Sequence, residues 1–173
     1  MATQREFAHF MRDVAPPRMK DIPKGGFCIS AFLIISKKGR PNHVLMGRLN
    51  RNADWDHLGA LDSTRVEKHR KGWMLPSSAL ILGESPGDAA KRILSEQLGL
   101  SDQKLEPPLI FSEVYGPMNH WDLEFIYLGE RDQAPVHPAW SDLLFVDLST
   151  LREADVARSH EDILAHLKKW HPQ

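Results

Sequence analysis

The chain has 173 residues, of which 42% are hydrophobic and 26% charged. That is the length of one domain with a core of its own. Its 22 Lys and Arg against 23 Asp and Glu leave a net charge of −1, which excludes bulk electrostatic binding of nucleic acid but not a local basic patch. The single cysteine, Cys28, excludes an internal disulfide and the cysteine-based zinc sites; set in an apolar run, it reads as a small buried side chain. No window of about 18 apolar residues offers a membrane span. Glu6 interrupts the only apolar stretch where a signal-peptide core would lie. A cytoplasmic protein that does not enter membranes is expected.

Residues 2–14 space Phe7, Phe10, Met11 and Val14 as the face of a short amphipathic helix. Pro16 and Pro17 end it. The expected organisation is this helix and a linker over 1–24, followed by one globular domain over 25–173. Residues 27–36 (FCISAFLIIS) read as a strand buried on both faces, 37–42 as a turn, and 43–49 as the strand that returns from it. Residues 50–72 are polar and lack periodicity, and are expected to form a long loop with at most one helical turn. Short apolar runs at 73–76 and 79–82 follow.

A helix over 86–98 carries the clearest marks. Ser85 suits the N-cap, Pro86 the first turn, Asp88 a capping box, and Gly99 the C-terminal stop. Residues 109–115 and 121–129 read as strands joined around Gly116-Pro117, and 142–148 as a last strand. A C-terminal helix is expected over 160–170, capped by Ser159 and Asp162, with Ile163, Leu164, Leu167 and Trp170 as its core stripe. The sum is an α/β (α+β) sandwich. On a helical wheel of 86–98, Ala90, Leu94 and Leu98 form the core face. Gln97 adjoins that face beside Ile93, so the arc from Glu96 to Gln97 is expected to border a cavity.

The segment from Trp73 to Leu100 resembles the Nudix box. Glu84 stands at the first Glu of that pattern, Arg92 eight residues on, and Leu94, Glu96, Gly99 and Leu100 follow in register. Trp73-Met74-Leu75-Pro76 matches the W-x-L-P lead-in. The resemblance covers roughly 27–170 and implies a Nudix-like sandwich, a mixed sheet between helices, here with an extra N-terminal helix. It implies pyrophosphohydrolase chemistry on nucleoside diphosphate-linked compounds with Mg²⁺ or Mn²⁺. By the same resemblance the catalytic positions are Glu84, Arg92 and Glu96, with Glu84 and Arg92 clamping the loop to the helix and Glu96 the metal ligand.

The departures fall on the metal chemistry. Ser77 and Ser78 replace glycines, Ile93 replaces the Glu after the Arg, and Gln97 replaces the second Glu of the final pair. Ile93 offers no ligand, and Gln97 only a neutral oxygen to a hard cation that prefers carboxylates. Weak or altered hydrolysis is one expectation; a non-catalytic module on a Nudix scaffold, binding a nucleotide-like ligand or a protein, is the alternative.

Arg48, Arg51 and Lys71 are the candidate substrate-binding residues, with Lys68, His69 and Arg70 near them; together they could meet a diphosphate or remain a solvated face. Trp55, Tyr115 and Trp121 could stack a base or simply pack. Among the later acids, Glu113, Asp122, Glu124 and Asp142, nothing in the sequence selects a further ligand. The expected partner is a small nucleotide-like molecule, and a homodimer is compatible with the sequence.

Overall fold

The computed structural model describes Arg5, Phe7, His9, Phe10 and residues 26–166. The central strand is β2 (Phe27–Lys37), with β1 (His9–Phe10) before it in the chain. Side chains alternate across a strand, so Ala31, Leu33 and Ile35 of β2 enter one core while Phe32 and Ile34 enter another. β6 (His120–Arg131) runs parallel to β2 along its whole length, in register from Phe27–Trp121 to Lys37–Arg131. The other edge of β2 is divided among three partners. β1 pairs at Phe27–Cys28, β4 (Ser77–Ala79) at Ser30–Phe32, and β3 (Arg40–Leu49) at Ser36–Lys37. β5 (Leu109–Tyr115) pairs with β6 and β7 (Trp140–Asp147) with β3, both antiparallel, giving the order β5-β6-β2-β3-β7.

Helices cover both faces of this mixed sheet. α3 (Pro86–Leu98) sets Ala89, Ala90, Ile93, Leu94 and Leu98 against the first core. α4 (His160–His166) sets Ile163 and Leu164 against the second. A third cluster gathers Leu49, Trp55, Leu61, Val66, Met74 and Trp140 at one end of β3. There Trp55 and Trp140 meet edge to face, centroids 4.8 Å apart. A Cβ on Gly47 would collide with the Trp140 indole, so the absent side chain is what admits that ring. Among the described residues no helix is long and apolar enough to cross a membrane.

The structure corrects several expectations. Phe7 bridges Ile81, and His9–Phe10 forms a strand. These residues are extended rather than helical because they complete the edge of β2, and a pairing edge overrides a helical spacing of two phenylalanines. Met11, Val14 and the rest of 11–25 lie outside the described residues. The 50–72 segment holds two short helices, α1 (Trp55–Gly59) and α2 (Ser63–His69). Asp54 caps the first by accepting from the His57 N–H, and Asp62 caps the second by accepting from the Arg65 N–H. The turn between β2 and β3 shrinks to Lys38 and Gly39. Entry to α4 is closed through the backbone, the Asp162 N–H donating to the Ser159 carbonyl at 3.1 Å. Leu167 and Trp170 lie outside the described residues.

Leu94 is 4% exposed in the α3 core. Leu94→Ala is expected to cost about 2–5 kcal/mol in urea unfolding; a loss below about 1 kcal/mol would place this face of α3 off the core.

Candidate functional site

The α3 entry is built as its residues demand. Ser85 Oγ accepts from the Asp88 N–H at 3.2 Å, Pro86 fills the first turn, and Gly99 turns left-handed at φ 66° to close the far end. The cap fixes the loop before it, and Arg92 ties that loop down. Arg92 donates from Nε to Glu84 Oε1 at 2.7 Å and from Nη2 to Glu84 Oε2 at 2.8 Å, a two-point pair. Further bonds run to Ser78 Oγ and the Ala79 carbonyl, while Glu84 also accepts the Ile81 N–H. Burial disfavours the Glu84 carboxylate, but the Arg92 and Ile81 hydrogen bonds and the nearby cations outweigh it and hold its pKa below the ordinary value. With side-chain exposures of 8% and 12%, this pair is a structural clamp rather than a solvated surface contact.

One turn on, the helix departs from a metal site. Arg5 reaches across from the N-terminal segment and takes both oxygens of Glu96, at 2.8 and 2.7 Å, while also donating to the His57 carbonyl at 2.7 Å. Hydrogen bonding and charge from Arg5 hold the Glu96 pKa below its ordinary value. Ile93 is fully buried in the α3 core. Gln97 is also fully buried, and its amide is spent. Nε2 donates to the Ser77 and Leu58 carbonyls at 2.9 and 3.0 Å, and Oε1 accepts the Ser77 N–H at 3.3 Å. The arc from Glu96 to Gln97 therefore borders packed protein rather than a cavity.

The resemblance implies a divalent cation at Glu96, and the residues present do not fit one. A hard cation needs several oxygen ligands with free lone pairs. Here the one carboxylate already neutralises a guanidinium, the amide is hydrogen-bonded at both ends, and Ile93 supplies nothing. Among the described residues no group of three or more His, Cys, Asp and Glu is placed to hold a metal.

The structure does not gather the candidate substrate-binding residues. Arg48 lies over the Trp73 ring at 4.3 Å and 3.9 Å from Asp142, while Arg51 and Lys71 are exposed. Of the candidate stacking aromatics, Trp55 is core. Trp121 is exposed and donates from Nε1 to Ser112 Oγ. The Tyr115 side chain lies outside the described residues.

What the structure does assemble is a polar cavity of about 200 Å³ on the far side of the sheet from α3. β2 and β6 give one wall, with Cys28, Ser30, Asp122 and Glu124, and β4, paired with β2, adds Ser77 and Ser78; Arg65 and His69 of α2, with Arg158 and His160, also line it. Burial, then Asp122, pushes the Cys28 thiol up to about 12, so it stays protonated and is no nucleophile. His160 is buried, and its Nδ1 accepts the Leu75 N–H at 3.0 Å. Burial, then nearby Arg158, lowers its pKa well below the ordinary value. Glu124 is 8% exposed, and its Oε2 has no hydrogen-bond partner among the described residues. Burial, with the charges of Asp122, Glu113 and Asp162, raises it to about 8. Ser77 Oγ, on the same cavity, is likewise buried without a partner. Sequence reasoning weighed Glu124 as one of four equivalent acids and missed Arg5, Arg65, Ser77 and His160.

Two predictions follow from the charges. Arg5→Ala should raise the Glu96 pKa toward the ordinary carboxylate range when followed by NMR carboxyl titration, because the Arg5 hydrogen bonds and charge are the main cause of its depression. Because the paired carboxylate has a depressed pKa, its stabilising effect is present above the unfolded value and is lost as pH falls through the folded one, so wild type and Arg5→Ala should converge in acid. Glu124 works in the opposite sense. The folded state holds its proton more tightly than the unfolded chain, so stability should fall as pH rises from the ordinary carboxylate range to about 8. Glu124→Gln should remove that component in denaturant titrations across this window; an unchanged slope would mean the carboxyl is solvated.

No family model and no curated protein matches the sequence. Solved structures do resemble it. A MutT protein from Methanosarcina mazei Go1 superposes with a TM-score of 0.58 at 12% identity, over 86% of this chain and 96% of that one. The Nudix domain of Shewanella oneidensis NrtR, complexed with ADP ribose, gives 0.57 at 13% identity over 91% and 94%. A bifunctional NMN adenylyltransferase/ADP ribose pyrophosphatase from Francisella tularensis, complexed with AMP and a Mn ion, gives 0.52 at 15% identity over 82% of this chain and 41% of that one. Identities this low speak for architecture alone, and in architecture the chain has the Nudix fold.

Proposed function

We propose that this Nudix-fold protein binds a nucleotide-like ligand and does not hydrolyse it by the metal-dependent route. The observation that carries this reading is the Arg5–Glu96 pair, in which both oxygens of the one glutamate that α3 carries are held by a guanidinium of the same chain. A cation would have to displace Arg5 and recruit further ligands from a helix face that offers a buried Ile93 and a spent Gln97 amide. Loading Mg²⁺ or Mn²⁺ there exchanges a formed charge-assisted pair for a partly hydrated ion. The ligand class is supported by the ADP ribose and AMP complexes of the structural neighbours. Hydrolysis of a nucleoside diphosphate-linked compound, with Mg²⁺ or Mn²⁺ at Glu96, is the second reading, and the retained Glu84–Arg92 clamp favours it.

Incubation of the intact protein with ADP-ribose and Mg²⁺ or Mn²⁺, followed by chromatography of the products, separates the two. The expected outcome is no metal-dependent turnover, with Mg²⁺ affinity by calorimetry in the millimolar range or weaker. Turnover lost on Glu96→Gln would overturn the binding reading. Ile93→Glu combined with Gln97→Glu should destabilise the protein, since a carboxylate in the α3 core is buried without a partner. Because Arg5 and the backbone occupy that face, Mg²⁺ should leave the melting temperature of the double variant unchanged; a rise with metal would mean that the face can still assemble a cation site.

A further inference from the structure

β5 is an edge of the sheet, and the face it offers on the α3 side is bare. Of the eight large apolar side chains left exposed among the described residues, five (Leu109, Ile110, Val114, Met118 and Trp121) lie on β5, on β6 or in the turn between them. Strand pairing sets Ile110, Ser112 and Val114 opposite Phe125, Leu123 and Trp121, and residues so paired share a face. Phe125 packs against the core beneath α3, which fixes that face as the α3 side. The same core takes in Phe125 and Tyr127 of β6 but no described residue of β5. Ile110 and Val114 are accordingly 63% and 57% exposed, and Trp121 38%.

The bare face carries no charge. Alternation along the strands turns Glu113, Asp122 and Glu124 to the opposite side, where they stand together near α4. Trp121 Nε1 already donates to Ser112 Oγ at 2.8 Å, so the indole presents its apolar ring with its one donor satisfied. β5 has neither Lys nor Pro, the residues that guard a sheet edge against pairing. The shape is that of a step. α3 packs on β2 and β4, and a helix is about as thick, ~10–12 Å, as the ~10 Å separating two packed sheets. The layer that α3 begins therefore stops beside β5 at a depth that a second sheet fills. Under a twofold axis along the strands the step is its own complement. The β5–β6 face of each copy fills the layer left open by the other, and each α3 flanks the open edge of the other's β5.

We propose that this face is an interface between two copies of the chain, packed sheet to sheet about that axis with Ile110, Val114 and Trp121 at its centre. A like patch meets it without charge repulsion and without stranding a polar group. The exposed apolar area is on the order of 400 Å² per copy, the size at which a patch marks an interaction site. Two copies bring together roughly 800–1,000 Å², at the lower end of specific interfaces, so the dimer is weak and reversible.

Sedimentation of the intact protein over a range of concentrations tests this. The mass is expected to rise from 19.7 kDa toward twice that value as concentration passes from micromolar toward millimolar. Ile110→Lys combined with Val114→Lys should weaken association about a hundredfold or more, because each charge is buried without a partner in the dimer. Val136→Lys, at a side chain 98% exposed and outside the patch, should leave association unchanged. Hydrogen exchange of the wild-type protein decides the matter even if the double variant fails to fold: protection over 109–115 should rise with protein concentration. A chain that stays monomeric up to millimolar concentration overturns the proposal and leaves the face to a different partner. A dimer that survives the double substitution, or forms with no added protection of β5, overturns it by placing the contact on another surface.

Discussion

The Gln97 side chain is the junction on which this end of the molecule depends. Its amide grips both backbone groups of Ser77 in β4 and the Leu58 carbonyl of α1, and the backbone carbonyl of the same residue accepts Trp140 Nε1 at 2.8 Å. One residue thus joins α3 to β4, to α1 and to the start of β7. The junction works because an amide donates as well as accepts. A carboxylate in its place would face two carbonyl oxygens with no proton to offer, an arrangement that needs a cation between them. Replacing charge by amide at position 97 therefore does more than remove a ligand. It converts a contact that calls for an ion into one complete within the chain.

Arg5 repeats the same logic on the exposed side of the helix. Glu96 keeps its charge, but the countercharge comes from the N-terminal segment, which is held in place by the Phe7–Ile81 bridge and the pairing of β1 with β2. Arg92, clamped to Glu84, also lies 5.9 Å from the Phe7 ring centroid. Inner clamp, outer pair and edge strand reinforce one another, so an ion entering at Glu96 would compete with several contacts at once. The polar cavity lies beyond the sheet, and among its walls only β4 is touched by α3, through Arg92 and Gln97. Fold and ligand chemistry are thereby separable: the helix face is closed, and the open polar volume is elsewhere.

Much of this was legible in the sequence where the signals are local. Ser85, Pro86 and Gly99 bracket α3 because caps and stops act on their own neighbours, and the apolar run of β2 announces a strand buried on both faces. The Glu84–Arg92 clamp was legible through its spacing. The N-terminal segment was misread because Phe7 and Phe10 fit a helical stripe, whereas their structure is set by a strand edge far along the chain. α1 and α2 were too short to show periodicity, although Asp54 and Asp62 were available as caps. Nothing local links position 5 to position 96. Glu124 stood among four similar acids, and what singles it out is the register that pairs it with Ser30, inside the sheet and away from water.

The divided edge of β2 also bears on how the chain reaches this structure. The strand's longest pairing joins Phe27 to Trp121 and runs parallel to its end, linking segments some ninety positions apart; only the β2–β3 turn is local. A topology weighted toward such distant pairs pays its loop-closure entropy before the contacts that offset it can form, which places it among slow folders. Until β6 arrives, the apolar β2 is a strand with an open side, and β4 and β1 complete its opposite margin from separate parts of the chain. The interval before that closure is when this protein is most exposed to association with other copies of itself.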